Sequence, residues 1–81
     1  MKITYSPNFY KSLSKFSNSI RIKFEKQVNY LVEDICHPSL HAKKFHESSD
    51  IWQARVDKDI RFYFSIDGDT YNLLEIRKHP K

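Results

Sequence analysis

The sequence is poor in the residues that build disulfide scaffolds and thiolate metal centres. Its 81 residues contain one cysteine, Cys36, one glycine, Gly68, and three prolines. A single cysteine excludes an intrachain disulfide and any thiolate-rich metal site, which is typical of a reducing compartment. No apolar run approaches membrane-spanning length, and residues 1–5 lack the apolar block of a signal peptide. We therefore expect a cytoplasmic protein with no membrane partner and no cofactor.

The length and the charge of the chain limit the number of domains and the kind of binding partner. A chain of 81 residues makes one domain, residues 1–81, which buries about 60 to 65% of the surface of its unfolded chain. Fourteen Lys and Arg against ten Asp and Glu give a net charge of +4, and twelve residues are aromatic. This balance favours a polyanionic partner such as nucleic acid over an acidic small molecule.

The N-terminal half predicts one strand and two helices. Lys2 to Tyr5 is rich in β-branched and aromatic residues, which suits an extended strand. Ser6 before Pro7 predicts an N-cap followed by proline at the first helical position. After a break at residues 17–19, a second helix is predicted from one apolar stripe, which ends before Pro38: Ile20, Phe24, Val28, Leu31, Val32 and Ile35. Cys36, near the end of this helix, is expected to be a small buried residue.

The C-terminal half alternates with a period of two. The even positions from 52 to 66 are mainly apolar, whereas the odd positions carry polar side chains, including Arg55, Arg61, Glu75 and Arg77. Two separators, residues 57–59 and 67–69, are interpreted as three-residue loops that keep the even residues in phase. The sequence thus predicts an α+β fold: an N-terminal strand, two helices packed on one sheet face, and a three-stranded antiparallel meander.

This register also predicts which side chains meet on the polar face. Pairing Val56 with Ile60 sets Arg55 opposite Arg61, and like charges in that position destabilise a sheet by up to about 1 kcal/mol. A face that tolerates this repulsion suggests a bound anion.

The second hairpin is predicted in the same way. Pairing Ile66 with Thr70 would set Arg61 across from Glu75 and Tyr63 across from Leu73, with Tyr71 on the same face near the turn. The alternative is that Glu75 pairs with Arg61 and that the rest of the face is solvated surface.

Between Ser39 and Asp50 the periodicity disappears. Leu40 and Phe45 are expected to anchor a loop against the sheet, and such loops often carry function. Its polar residues include three candidates for phosphate contacts or proton transfer: Lys43, Lys44 and Glu47. The histidines at 37, 41 and 46 have spacings that loosely suit a metal, but no carboxylate completes a known pattern, so we predict no metal site.

The element order and three segments of the meander resemble the RelE/ParE family of type II toxins. The segments are Ile51–Val56, Asp59–Phe64 and Tyr71–His79. The resemblance covers essentially the whole chain. It implies a toxin whose basic sheet face either cuts messenger RNA, usually on the ribosome, or poisons DNA gyrase. It also implies a cognate antitoxin, with the toxin alone monomeric and the complex larger. Family members that cut RNA often place a histidine or tyrosine near the end of the last strand, where this chain has His79.

The chemical steps of metal-free RNA cleavage suggest a role for each of these residues. The 2′-hydroxyl attacks phosphorus, which requires a base, an acid for the leaving 5′-oxygen, and cations for the developing charge. Arg61 and Arg55 would grip the phosphate, His79 would transfer a proton, and Glu47, or less favourably Glu75, would act as base. Four cations would contact the flanking phosphates: Lys43, Lys44, Arg77 and Lys78. Exposed bases would stack on Tyr63 and Tyr71.

Each assignment has an alternative. His79 could be a surface residue, Glu47 could cap the loop, and Lys43 and Lys44 could be a solvated face. Two further functions therefore remain open beside an endoribonuclease: a gyrase inhibitor, and a basic RNA-binding module without catalysis.

Overall fold

A computed structural model of the protein describes residues 2–45 and 50–78. The elements are β1 (Lys2–Tyr5), α1 (Pro7–Ser14), α2 (Asn18–Glu33), β2 (Lys43–Lys44), β3 (Ile51–Arg55), β4 (Ile60–Asp67) and β5 (Thr70–Lys78). In the described part, the strands form one mixed sheet of order β1-β5-β4-β3-β2, in which β1 is parallel to β5. The predicted α+β class is confirmed, but strand β2 falls in a segment predicted as loop. None of the helices so described is long and apolar enough to cross a membrane.

The predicted starts of both helices are confirmed by their capping bonds. The Ser6 hydroxyl accepts a hydrogen bond from Phe9 N at 3.1 Å, and the Ser17 hydroxyl accepts one from Ile20 N at 3.4 Å. Ser6 also ties α1 to the sheet, because its hydroxyl donates to Leu74 O at 2.8 Å and its backbone N donates to Leu73 O at 2.9 Å.

Helix α2 ends earlier than its apolar stripe predicts. It stops at Glu33, and its C-cap Asp34 is extended. The Asp34 carboxylate accepts a hydrogen bond from Cys36 N at 2.9 Å, a local bond that competes with further helical turns. Cys36 is therefore exposed, and the prediction that it is buried was wrong.

An unbroken series of aromatic contacts joins both helices to one face of the sheet. Ring centroids lie 5.1 Å apart between Phe9 and Phe24, 5.4 Å between Phe24 and Phe62, and 5.8 Å between Phe62 and Phe64. Tyr71 extends the series, with its ring edge-on to Phe64 at 5.6 Å. The aromatic side chains of both helices pack on this face, and the arginines lie on the opposite, helix-free face, at whose edge Asn8 of α1 lines a cavity with Tyr63 and Arg77.

The first hairpin has the predicted register, whereas the second does not. Arg55 pairs with Arg61 as predicted. In the second hairpin, Asp67 pairs with Thr70, so the loop has two residues and Gly68 adopts a φ of 60°. A bulge follows, because Tyr63 pairs with Glu75 whereas Phe64 pairs with Leu73, which leaves Leu74 as the extra residue.

The two-residue loop exchanges the faces predicted for residues 71–73, and the bulge at Leu74 restores the predicted alternation from Glu75 onwards. Leu73 is fully buried and Tyr71 is 5% exposed, so both lie on the core face, while Leu74 is half-buried. The prediction of Tyr71 on the exposed face was therefore wrong. The predicted pairs of Arg61 with Glu75 and of Tyr63 with Leu73 were wrong because the loop is one residue shorter than predicted and the bulge shifts the pairing by one residue more.

Two neighbouring leucines test the bulge. We expect Leu73→Ala to lower the free energy of unfolding by about 2–5 kcal/mol, because it leaves a cavity in the core. Leu74→Ala should cost about 1 kcal/mol or less, since its side chain is only half-buried. Urea denaturation of both variants measures the difference, and a larger loss for Leu74→Ala would contradict the register described here.

Candidate functional site

Three arginines lie side by side across the helix-free face of the sheet. Arg55 pairs with Arg61 across β3 and β4, and Arg61 pairs with Arg77 across β4 and β5. We call these residues the arginine row; the chain has one further arginine, Arg21. Like charges in directly opposed positions repel by up to about 1 kcal/mol per pair. The fold thus holds three of four arginines where an anion would relieve their repulsion.

The central arginine is fixed by the turn before it. Arg61 Nη1 donates to Asp57 O at 2.7 Å, to Lys58 O at 3.0 Å and to Ile60 O at 3.3 Å. No hydrogen bond from Arg61 Nε or Nη2 is present among residues 2–45 and 50–78, so these donors are available to a ligand. The bonds of Nη1 therefore orient the guanidinium, and its Nε and Nη2 donors can still bind a ligand.

Arg77 is held at the other end of the row by Tyr63 and Glu75. Its guanidinium carbon lies 4.6 Å from the Tyr63 ring centroid, and its Nη1 lies 3.3 Å from Glu75 Oε1. A side-chain hydrogen bond with Tyr63, together with the charges of Tyr63 and Glu75, raises the pKa of Arg77 against the opposing effect of burial. Glu75 thus pairs with Arg77, and Arg77 stays cationic throughout the accessible pH range.

Tyr63 lies on the predicted face, but its ring is covered. It is 3% exposed, with Phe45 edge-on at 5.1 Å and Arg77 over the ring. The expectation that Tyr63 offers an exposed ring to a base was therefore wrong, because the side chains of Phe45 and Arg77 cover it.

A cleft of about 330 Å³ lies beside the first two arginines of the row. We call it the arginine cleft; its lining residues are His41, Ala42, Lys43, Gln53, Arg55 and Arg61. Its side chains carry three cations and one imidazole, and no carboxylate is among the described residues that line it. Such a set matches a phosphate diester in charge and in its need for hydrogen-bond donors.

Three hydrogen bonds fix one wall of the arginine cleft to β3. Arg55 N donates to Leu40 O at 2.7 Å. The buried amide of Gln27, on α2, donates to Ser39 O at 3.0 Å and to Arg55 O at 2.8 Å. Since Leu40 is itself fully buried, the chain just before His41 is held against the backbone of Arg55.

One buried acceptor at the cleft has no partner. Gln53 Oε1 is buried, and no hydrogen bond to it is found within the part of the chain that the structure describes. A buried acceptor without a bond costs about 1–3 kcal/mol, which a ligand that donates a hydrogen bond would recover.

The structure divides the predicted cations between the two faces of the sheet. Lys43 lies opposite Gln53 and lines the cleft, whereas Lys44 lies opposite Trp52, with Nζ 6.0 Å from that ring. Lys78 pairs with Ile60 and so shares the helix-bearing face. Lys44 and Lys78 were predicted to contact RNA beside the arginines, and strand alternation places them away from that face.

Two of the predicted catalytic residues, His79 and Glu47, lie outside the described residues, as does His46.

Sequence reasoning missed His41, which the fold brings to Arg55 and Arg61. The available signal was a histidine beside an apolar anchor, Leu40, in the loop that precedes the arginine strands. Residues 2–45 and 50–78 contain no group of three or more His, Cys, Asp or Glu side chains that could hold a metal ion.

Comparisons with known proteins identify the fold. No family model and no curated protein sequence matches the chain. Among solved structures, the YoeB/ParE toxin from Agrobacterium tumefaciens superposes with a TM-score of 0.79 at 13% identity, over 99% of this chain and 100% of that one. This protein has the RelE/ParE toxin fold.

Two other structures with the RelE/ParE toxin fold are complexes with antitoxins. The E. coli DinJ-YafQ complex matches with a TM-score of 0.80 at 13% identity, over 96% of this chain and 91% of that one. The RelB-RelE complex from Methanococcus jannaschii matches with a TM-score of 0.76 at 16% identity, over 93% and 88% of the two chains. The predicted resemblance is thus confirmed at the level of the fold.

The repulsion within the arginine row can be measured through the free energy of unfolding of the protein. We expect Arg55→Gln to raise the free energy of unfolding by up to about 1 kcal/mol at low salt, because it removes the charge opposite Arg61. The gain should shrink in about 0.5 M NaCl, where charges are screened. Lys26→Gln, on an exposed position of α2, is the charge-matched control. A loss of stability in Arg55→Gln would show that the row is not strained by repulsion.

Proposed function

We propose that this protein is the toxin of a type II toxin-antitoxin pair and that it cleaves messenger RNA, without a metal ion, on the ribosome. The observation that carries the proposal is the arginine row, which presents three adjacent cations on the helix-free face. The similarity of the fold to RelE, YoeB and YafQ toxins supports the toxin role.

The arginine row and the arginine cleft together supply the cations and hydrogen-bond donors that would bind a phosphate diester. Arg61 is oriented by three backbone carbonyls, and Arg55 lies directly opposite. Their guanidinium groups would bind the non-bridging oxygens of the scissile phosphate and stabilise the charge that develops in the transition state. Lys43 and Arg77, on either side, would bind the neighbouring phosphates of the strand.

The reaction proposed is an internal transesterification. The 2′-oxygen forms a bond to phosphorus and the bond from phosphorus to the 5′-oxygen breaks, which gives a 2′,3′-cyclic phosphate and a 5′-hydroxyl. A base takes the 2′-hydroxyl proton, and the 5′-oxygen takes up a proton as it leaves. His79 and Glu47 remain predictions for these proton transfers.

A cognate antitoxin is the proposed protein partner. Two of the similar structures are toxins bound to the antitoxins DinJ and RelB. A partner that covers the arginine row with carboxylates would neutralise it and block RNA in the same step. We propose that the free toxin is monomeric, that it acts in the cytoplasm and that larger assemblies form with the antitoxin.

Mapping of 5′ ends tests the proposal. We expect controlled expression of the protein to create new 5′ ends in translated messenger RNAs, in a fixed reading frame. Arg61→Ala should reduce their yield by about 100- to 1,000-fold, because it removes a charge that stabilises the transition state. Arg61→Lys keeps the charge but loses the planar fork, and should also be impaired.

Lys26→Ala is the control for that experiment, because Lys26 is exposed on α2, across the sheet from the row. It should cleave like the unmodified protein. Growth arrest without new RNA ends would contradict the nuclease proposal, and DNA breaks under those conditions would identify gyrase as the target. Salt-sensitive RNA binding without new ends would indicate a non-catalytic binding module.

A second test concerns metal ions. Because the arginine row and Lys43 supply positive charge at the phosphate, we expect purified protein to cleave ribosome-bound messenger RNA when added Mg²⁺ is the only divalent ion and transition metals have been removed by dialysis against a chelator. Added Zn²⁺ or Mn²⁺ should not raise the rate. A rate that depends on such an ion would contradict cleavage without a transition metal.

A further inference from the structure

We propose that His41 is the general base that takes the 2′-hydroxyl proton in the arginine cleft. The inference rests on the proposed endoribonuclease activity, and it assigns a catalytic role to a residue that the sequence offered only as a loop histidine. Three observations carry it: the composition of the cleft, the way its wall is fixed, and the backbone conformation of His41.

The composition of the cleft leaves one described side chain of a type that commonly serves as a general base. Three of the six lining side chains are cations of lysine or arginine, which only donate hydrogen bonds. Ala42 has no polar side-chain atom, and the Gln53 amide does not titrate. His41 supplies the one imidazole of the cleft, and an imidazole nitrogen is the usual proton acceptor in general acid–base catalysis.

The wall that carries His41 is attached to the arginine that would bind the phosphate. The Arg55 backbone donates to Leu40 O at 2.7 Å, and Gln27 binds Ser39 O and Arg55 O together. These bonds fix the segment just before His41 relative to the origin of the Arg55 side chain. A base must keep such a fixed position with respect to the bound phosphate to act efficiently.

The backbone of His41 is unusual for a residue with a side chain. Its φ is 47°, the one positive value among the non-glycine residues that the structure describes. This left-handed conformation is uncommon outside glycine, and residues held in it concentrate at functional sites. The conformation turns the chain between buried Leu40 and strand β2, at the mouth of the cleft.

The proposed step balances as follows. Neutral His41 takes the proton from the 2′-hydroxyl while the 2′-oxygen bonds to phosphorus. The bond to the 5′-oxygen breaks, and water gives that oxygen a proton, so this step replaces the proton transfers predicted for Glu47 and His79. The hydroxide so formed takes the proton from the imidazolium, which returns His41 to its neutral form.

Single-turnover cleavage of a short synthetic messenger RNA, free and bound to purified ribosomes, tests the role. We expect His41→Ala and His41→Gln to lower the rate of cleavage by at least about 100-fold, because a general base contributes that much or more. Binding of the same RNA with a 2′-O-methyl group at the cleavage site should change less than about threefold, since His41 is not needed to hold the phosphate.

His37→Gln is the matched control, because His37 stacks on Tyr30 at 3.9 Å and is absent from the arginine cleft. His37 and His41 both line a neighbouring cavity, and glutamine keeps an acceptor for the hydrogen bond that Ser39 N donates to His37 Nδ1. It should cleave at the unmodified rate. Added imidazole should restore cleavage to His41→Ala and leave His37→Gln unchanged, which a merely structural role for His41 would not produce.

A substrate with sulfur in place of the bridging 5′-oxygen separates base from acid. Sulfur leaves without protonation, so loss of a general acid is rescued on this substrate and loss of a base is not. We expect His41→Ala to remain slow on it. Rescue by sulfur, or a His41→Ala variant as fast as the unmodified protein, would overturn the inference while the nuclease function stands. An unmodified protein that leaves both RNA forms intact would overturn the function and the inference together.

Discussion

The register of the three central strands is the constraint on which both faces of the sheet depend. Because side chains alternate along a strand, the pairing that buries Phe62 beneath α2 also brings Arg55, Arg61 and Arg77 together on the opposite face. The aromatic contacts on the core face supply the burial that offsets the repulsion within the row. A shift of the strand pairing by one residue would expose the aromatic rings and separate the arginines. The same pairing therefore determines both the core packing and the geometry of the site.

Much of this arrangement could be predicted from the sequence, and the failures have physical causes. The caps at Ser6 and Ser17 and the pairing of Arg55 with Arg61 followed from local chemistry and strict alternation. The second hairpin failed because residues 67–69 were taken as a three-residue loop, whereas Gly68, with its positive φ, forms a two-residue loop. The bulge at Leu74 has no signature in hydrophobic periodicity.

The candidate site was only partly predictable, because the loop that completes it has no periodicity. Side chains from α2 decide where that loop runs: Gln27 binds the carbonyls of Ser39 and Arg55. This contact joins residues separated by 12 and 28 positions, so no local pattern could indicate it. His41 follows this contact and lines the arginine cleft, and Phe45, later in the same segment, covers Tyr63. The proposed role of His41 thus depends on an amide that links a core helix to the loop before it.

The central claim is that the arginine row binds RNA through its phosphates. The most direct measurement is an NMR titration of the four arginine Nε–Hε signals with a messenger RNA fragment blocked by 2′-O-methyl groups. We expect the signals of Arg55, Arg61 and Arg77 to shift in a saturable way. The signal of Arg21, whose guanidinium binds Ser14 O on the helical side, should stay unchanged. Equal shifts of all four signals, or a shift of Arg21 alone, would contradict the claim.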